Sequence, residues 1–453
     1  MTSAPALLLV ALAGVALLIA LVAWGRLHAF LALTVVSLLV GLGSGQAPLD
    51  VVRAFGEGVA GMLRAIAFVV GFGTVLGRLL AESGGAQLLA NTLIRVLGEK
   101  RLAWSMLAIG FLVGLPTWFT VGLVLLMPVL LAVRQATGTP LLGPGLPMLG
   151  GLALAHCLLP PHPGPMAAIG SLGVALGPVD AGRVVLYATL VAIPVGLCGL
   201  PVARGLTRAT PLESVRAASA PDPAAPPAPH SPSFALTLGT ILLPLGLMLL
   251  ATAGAMFLPA GHTVRSWLEF AGDPVVAMLA GVLVALWSLG RRCGFPAARL
   301  GQFAEESLQP VAAVLLVVGA GGGFSKVLAA GGAGEAMAGL ARDAGLSPLL
   351  LGWALAAAIR VATGSATVGI TMAAGLVVPV AAATPGTNPE LLVVAMGAGS
   401  MFLSHLNDGG FWFVKELFQL SVAQTLRTWS VLVSVLSLAA LGGVMGLNAV
   451  FGR

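Results

Sequence analysis

Charge is what this chain has least of: 8% of its 453 residues are Asp, Glu, Lys or Arg, against roughly 25% in soluble domains. That shortage excludes a soluble globular protein, whose exterior needs polar cover. Cysteine is scarce too. Cys157 and Cys198 lie in apolar segments and Cys293 sits beside Arg292, a spacing that supports neither a disulfide framework nor a zinc site. No metal or cofactor is expected. The chain lacks a nucleophile elbow and a phosphate-binding glycine loop, so it reads as no enzyme. Its basic residues do not cluster with aromatics, which argues against nucleic acid despite a net charge of +6. The first apolar run lacks a basic leader and a convincing small-residue cleavage site, and is expected to be a span, not a cleaved signal.

Hydrophobic sequence is abundant, at 58% of residues, with a mean hydropathy of +1.03. A helix crossing the bilayer core needs about 20 mostly apolar residues. Runs of that kind recur along the chain, as at Leu7–Trp24 and Leu236–Phe257. The expected fold is an all-α polytopic membrane protein embedded in the lipid bilayer, with charges at segment ends that orient it. One stretch breaks the pattern. Residues 204–232 are rich in Pro, Ala and Ser and carry Arg204, Arg208 and Arg216, the composition of a flexible cytoplasmic linker. It separates an N-terminal transmembrane repeat, 1–203, from a C-terminal one, 233–453; His230 within it reads as solvated.

The two halves are related in sequence. "VVGFGTVLGRLLAESGGA" from Val69 aligns without gaps to "VVGAGGGFSKVLAAGGAG" from Val317. At the same offset Phe55, Glu57 and Arg78 meet Phe303, Glu305 and Lys326, and one residue of drift in either direction aligns Thr120 with Thr367 and His156 with His405. Each half reads as plain spans, an amphipathic stretch, two interrupted segments and a final span. If 102–133 and 348–384 are re-entrant hairpins, each half crosses five times, and an odd number makes the halves inverted. The connector with Arg95, Lys100 and Arg101 is more basic than its counterpart around Arg342, placing the first in the cytoplasm and the second outside.

Chemistry is expected where helices are interrupted, because non-helical backbone at membrane depth must be buried in protein or line a wet cavity. Four breaks are legible: "GLPTWFT" from Gly114, "HCLLPPHPGP" from His156, "RVATGSATVG" from Arg360 and "SHLNDGGFW" from Ser404. Four prolines in ten residues cannot all sit in one regular helix. Paired by the repeat, first with third and second with fourth, the breaks would meet near the midplane. Freed amides at helix N-termini there suit a small anion. Inverted halves around such breaks favour alternating access over a channel.

The stretches "PPHPGP", "IRVATGSATVG" and "GSMFLSHLNDGGFWFVKE" closely resemble the gluconate permease family of bacterial sugar-acid:proton symporters, part of a wider ion-transporter superfamily. The resemblance covers essentially the whole chain. It implies uptake of gluconate or a related hydroxy-acid across the inner membrane, driven by protons, with a scaffold-and-hairpin architecture that moves like an elevator. A sodium-coupled or exchange transporter of another small organic anion is the alternative, and a homodimer is an allowed assembly. One position departs from the family, where the first hairpin tip usually carries a carboxylate and this chain has Thr120.

Within the breaks, Ser365 and Thr367 with the Gly364 backbone offer donors to polyol and carboxylate oxygens, or else are small packing residues; Thr117 and Thr120 are their counterparts. Arg360 reads either as a clamp on a substrate carboxylate or as half of an internal ion pair. Asn407 and Asp408 add polar groups for substrate hydroxyls, and Asp408 is a candidate to carry the coupled proton. His405, His156 and His162 suit a proton relay, or else close buried backbone hydrogen bonds. Trp118 and Trp412 flank breaks as cavity walls or interface anchors, Lys415 and Glu416 form an interfacial pair, and Glu57 and Glu305 are surface charges.

Overall fold

The computed structural model describes residues 4–23, 25–98, 101–210, 230–259, 261–309, 311–332, 347–406 and 408–451. Asn407, Lys100, Arg342 and linker residues 211–229 lie outside them. Among the described residues every regular element is helical, as a hydrocarbon solvent demands of a chain that must satisfy its own amides. Eight helical segments among them are long and apolar enough to cross a membrane.

The first half comprises α1 (Ala4–Ala23), α2 (Ala29–Gly43), α3 (Pro48–Glu82), α4 (Gly85–Leu97), α5 (Leu102–Gly114), α6 (Phe119–Thr137), α7 (Leu142–Leu158), α8 (Pro163–Leu176) and α9 (Ala181–Arg208). The second comprises α10 (Phe234–Phe257), α11 (Thr263–Gly272), α12 (Pro274–Ala285), α13 (Ala297–Leu308), α14 (Val311–Ala330), α15 (Pro348–Thr363), α16 (Ala366–Ala383), α17 (Pro389–Ser400), α18 (Gly409–Leu417), α19 (Val422–Thr425) and α20 (Val431–Phe451), with a π-helical turn, Leu426–Ser430, joining the last two. Two expectations change. The amphipathic stretch and the span after it form one 35-residue helix, α3; the described residues of the corresponding second-half segment are α13 and α14. Helix α9 also runs on through Arg208, so the start of the expected linker is helical.

The halves meet along α3 and α14, which pack antiparallel. A Cβ added at Gly58 would lie 2.3 Å from the Gly322 carbonyl oxygen, and one at Gly323 would lie 2.5 Å from the Phe55 ring. Glycine on both sides lets the backbones touch, which is how membrane helices gain packing energy without a hydrophobic drive between them. Ion pairs flank the contact: Lys326 Nζ on α14 is 3.8 Å from Glu57 Oε2, and Glu306 Oε2 on the preceding α13 is 2.8 Å from an Arg78 Nη on α3. Being partly exposed, these pairs set alignment more than they stabilise. Glycine also closes α7 on α5 and α17 on α15, with added Cβ atoms at Gly151 and Gly399 falling 2.2 Å from the carbonyl oxygens of Leu107 and Trp353.

Gly58→Val should therefore push α3 off α14 and cost about 1–3 kcal/mol or more. Gly56→Val, whose new side chain meets open space, is the control. Thermal unfolding in detergent should show a clearly larger fall in Tm for the first, and equal falls would contradict the packing described.

Candidate functional site

A cavity of about 420 Å³ lies where α6, α16 and α18 begin. Each start has a local cause. Gly364 stands in the left-handed region at φ 74°, where its N–H closes on the Arg360 carbonyl and ends α15. Ser365 Oγ then accepts from Val368 N at 3.3 Å and caps α16. Asp408 caps α18 through Oδ1, accepting from Gly410 N at 2.8 Å. Helix α6 starts after an extended Trp118 and has no side-chain cap. Three helix N-termini, each with partial positive charge, thus face one space.

Arg360 and Asp408 cross-link two of these breaks. Arg360 Nη2 donates to Asp408 Oδ2 at 2.5 Å, and Nη1 donates to the Gly364 carbonyl. The two side chains are 9% and 10% exposed. Ser404 also donates to Asp408 Oδ2, Trp429 Nε1 donates to Ser404 Oγ at 2.8 Å, and Ser430 donates to the Ser404 carbonyl. Trp429 stacks on Phe119 at 5.2 Å, joining this network to the start of α6. Among the described residues the Arg360 Nε–H has no partner. Arg360 thus forms the internal ion pair with one N–H of each Nη committed, while its Nε–H is not, and the residue still lines the cavity.

Among the other sequence candidates, Thr120, Gly364, Ser365, Thr367, Asp408 and His156 line the cavity. Thr117 does not. It is 2% exposed and donates to the Val113 carbonyl at 2.6 Å, a helix-end bond next to Gly122. His405 is also turned aside, with Nε2 2.8 Å from the Val361 carbonyl. His162 lies behind the cavity wall: its Nδ1 is 3.2 Å from His156 Nδ1 and its Nε2 is 2.8 Å from the Gly114 carbonyl. Trp118 lines the cavity, whereas Trp412 is 40% exposed and donates to the Leu406 carbonyl at 2.7 Å.

Sequence reasoning missed Ser404, Trp429, Phe119, Cys157 and His28, all lining residues. Ser404, Phe119 and Cys157 stand inside quoted motifs but carry no spacing signal. Trp429 is aimed inward by the π turn, a local widening common at functional sites. His28 enters from the loop before α2, whose helix it caps through Nδ1. No cluster of metal-ligating side chains occurs among the described residues.

Residues 6–450 match the family described as GntP family permease. The chain belongs to that family. It is a multi-pass membrane transporter rather than an enzyme. Relatives include a gluconate permease of Pseudomonas aeruginosa, 42% identical over 98% of both chains. The high-affinity gluconate transporter of Escherichia coli K12 is 38% identical over 96% of this chain and 98% of its own length, and the Gnt-II system L-idonate transporter of the same organism is 36% identical over 98% and 99%. The solved YdaH transporter of Alcanivorax borkumensis shares the fold, with a TM-score of 0.63 at 17% identity, covering 94% of this permease and 98% of that chain.

Removing either partner of a buried ion pair strands the other, which costs about 3–5 kcal/mol. Arg360→Gln and Asp408→Asn should each lower thermal stability in detergent by that order, and the double variant by less than the sum. Additive losses would show that the two charges do not interact.

Proposed function

We propose that this permease imports gluconate or a closely related small sugar acid across the bacterial cytoplasmic membrane by proton symport. One observation carries the reading: three helix N-termini open on a single cavity whose only formal charges among the described residues, Arg360 and Asp408, cancel. Amide dipoles favour a carboxylate there. The Ser365 Oγ accepts at its cap and so keeps its proton to donate, and Thr120 and Thr367 add hydroxyls suited to a polyol chain. The names borne by the gluconate and L-idonate relatives point to the same substrate class.

Transport in this reading alternates access by moving α5–α6 and α15–α16 as re-entrant hairpins against a scaffold, elevator fashion. Two inverted repeats, 1–203 and 233–453 joined by the cytoplasmic linker 204–232, provide the symmetry. Support comes from α3 and its partners α13 and α14: swapping the halves carries the Glu57–Lys326 pair onto Arg78 and Glu305, one residue from the Arg78–Glu306 pair that forms. Such an exchange of antiparallel helices is a two-fold axis across them, the relation of inverted repeats.

Proteoliposomes test this directly. Labelled gluconate should exchange in counterflow and accumulate under an inward pH gradient, with collapse on adding a protonophore. Failure of every sugar acid to exchange would sink the substrate class, and sodium-driven uptake indifferent to pH would sink proton coupling. Thr367→Ala, losing one hydrogen bond of about 0.5–1.5 kcal/mol, should raise KM roughly twofold to tenfold.

A further inference from the structure

We propose that the His156–His162 pair is the site of the coupled proton, that it takes up a single proton at His156 Nε2, and that this proton supplies the net positive charge the anion requires. The inference rests on the proton-symport reading above and deepens it.

The geometry dictates where hydrogens sit. The Gly114 carbonyl can only accept, so His162 Nε2, 2.8 Å away, carries a hydrogen. In the neutral ring His162 Nδ1 is then a bare lone pair. It lies 3.2 Å from His156 Nδ1, so His156 carries its hydrogen on Nδ1 and donates inward. That leaves His156 Nε2 as a lone pair on a residue that lines the cavity. Adding a proton there keeps both existing hydrogen bonds. A second proton would place hydrogens on both Nδ1 atoms, face to face, and break the bond between the rings. The pair therefore holds one proton and no more.

The surrounding charges say why that proton matters. The titratable and charged groups around the cavity are Arg360 from α15, Asp408 at the head of α18, Cys157 beside His156 on α7, and His28 before α2. Arg360 and Asp408 neutralise each other. With both lining histidines neutral, an entering carboxylate thus meets helix dipoles but no uncompensated cation, and protonation of His156, whose Nδ1 is already paired inside the protein, supplies one. Proton and anion must then favour each other equally, since coupling between sites is reciprocal. The sign is fixed by this linkage: below the pKa of the pair, anion affinity is flat, and above it affinity falls about tenfold per pH unit for one linked proton.

The test is calorimetric titration of the purified permease with gluconate in buffers of different ionisation enthalpy, across roughly pH 5 to 8. The wild type should take up a proton with the anion, approaching one per anion at the alkaline end. His156→Gln should bind at least tenfold more weakly at the acid end, take up no proton and fail to accumulate substrate under a pH gradient. His156→Lys, a fixed charge, should bind with no pH dependence and also fail to accumulate. If His156→Gln still takes up a proton on binding and still accumulates gluconate, the inference is overturned while symport stands. Should neither variant fold, wild-type binding without proton uptake at any pH in that range overturns it. Wild-type uptake that ignores an imposed pH gradient fails the symport reading itself.

Discussion

The Arg360–Asp408 ion pair closes two helix breaks at once. Taking two charges out of water costs several kcal/mol per ion unless the geometry and further hydrogen bonds compensate, and here they do: Asp408 receives Arg360, Ser404 and the Gly410 amide, while Arg360 also satisfies the carbonyl where α15 ends. The starts of α16 and α18 are held beside each other as a result. Through Ser404, Trp429 and Phe119 the same network reaches the start of α6. The cavity exists because these starts cannot drift apart.

A second consequence follows from that neutrality. A pair that cancels its own charge leaves the cavity positive only through amide dipoles, which favour an anion by a modest amount each. Hydroxyls from Ser365, Thr367 and Thr120 suit a ligand rich in oxygen, and the apolar wall from Val314 and Val317 on α14 limits its size. At the first break Thr120 is an uncharged hydroxyl, so the amides of α6 face the cavity without a fixed negative charge at that position.

Much of this was legible in the chain. Long apolar runs and few charges dictate helices in a bilayer, and glycine and proline clusters mark the breaks, since neither residue sustains a regular helix there. Gly364 and Ser365 could be read as a helix end followed by a cap, and Asp408 as a buried acid with a purpose. The continuous α3 was harder, because an amphipathic stretch running into an apolar one looks like two elements until packing against α14 joins them.

Sequence by itself determined the solvent, the helical content, the places where helices break and the family, because composition and local backbone preference act over a few residues. Only the tertiary structure decided who partners whom. Arg360 reads as a clamp or as half of an ion pair until Asp408 is seen against it; the bonds of Thr117 to the Val113 carbonyl and of His405 to the Val361 carbonyl appear only in three dimensions; Trp429, which no local pattern singles out, lines the cavity from a π turn. His156 and His162 are six positions apart, yet their facing Nδ1 atoms depend on proline-interrupted backbone between α7 and α8. Such pairings are set by packing between distant segments, which no local pattern encodes.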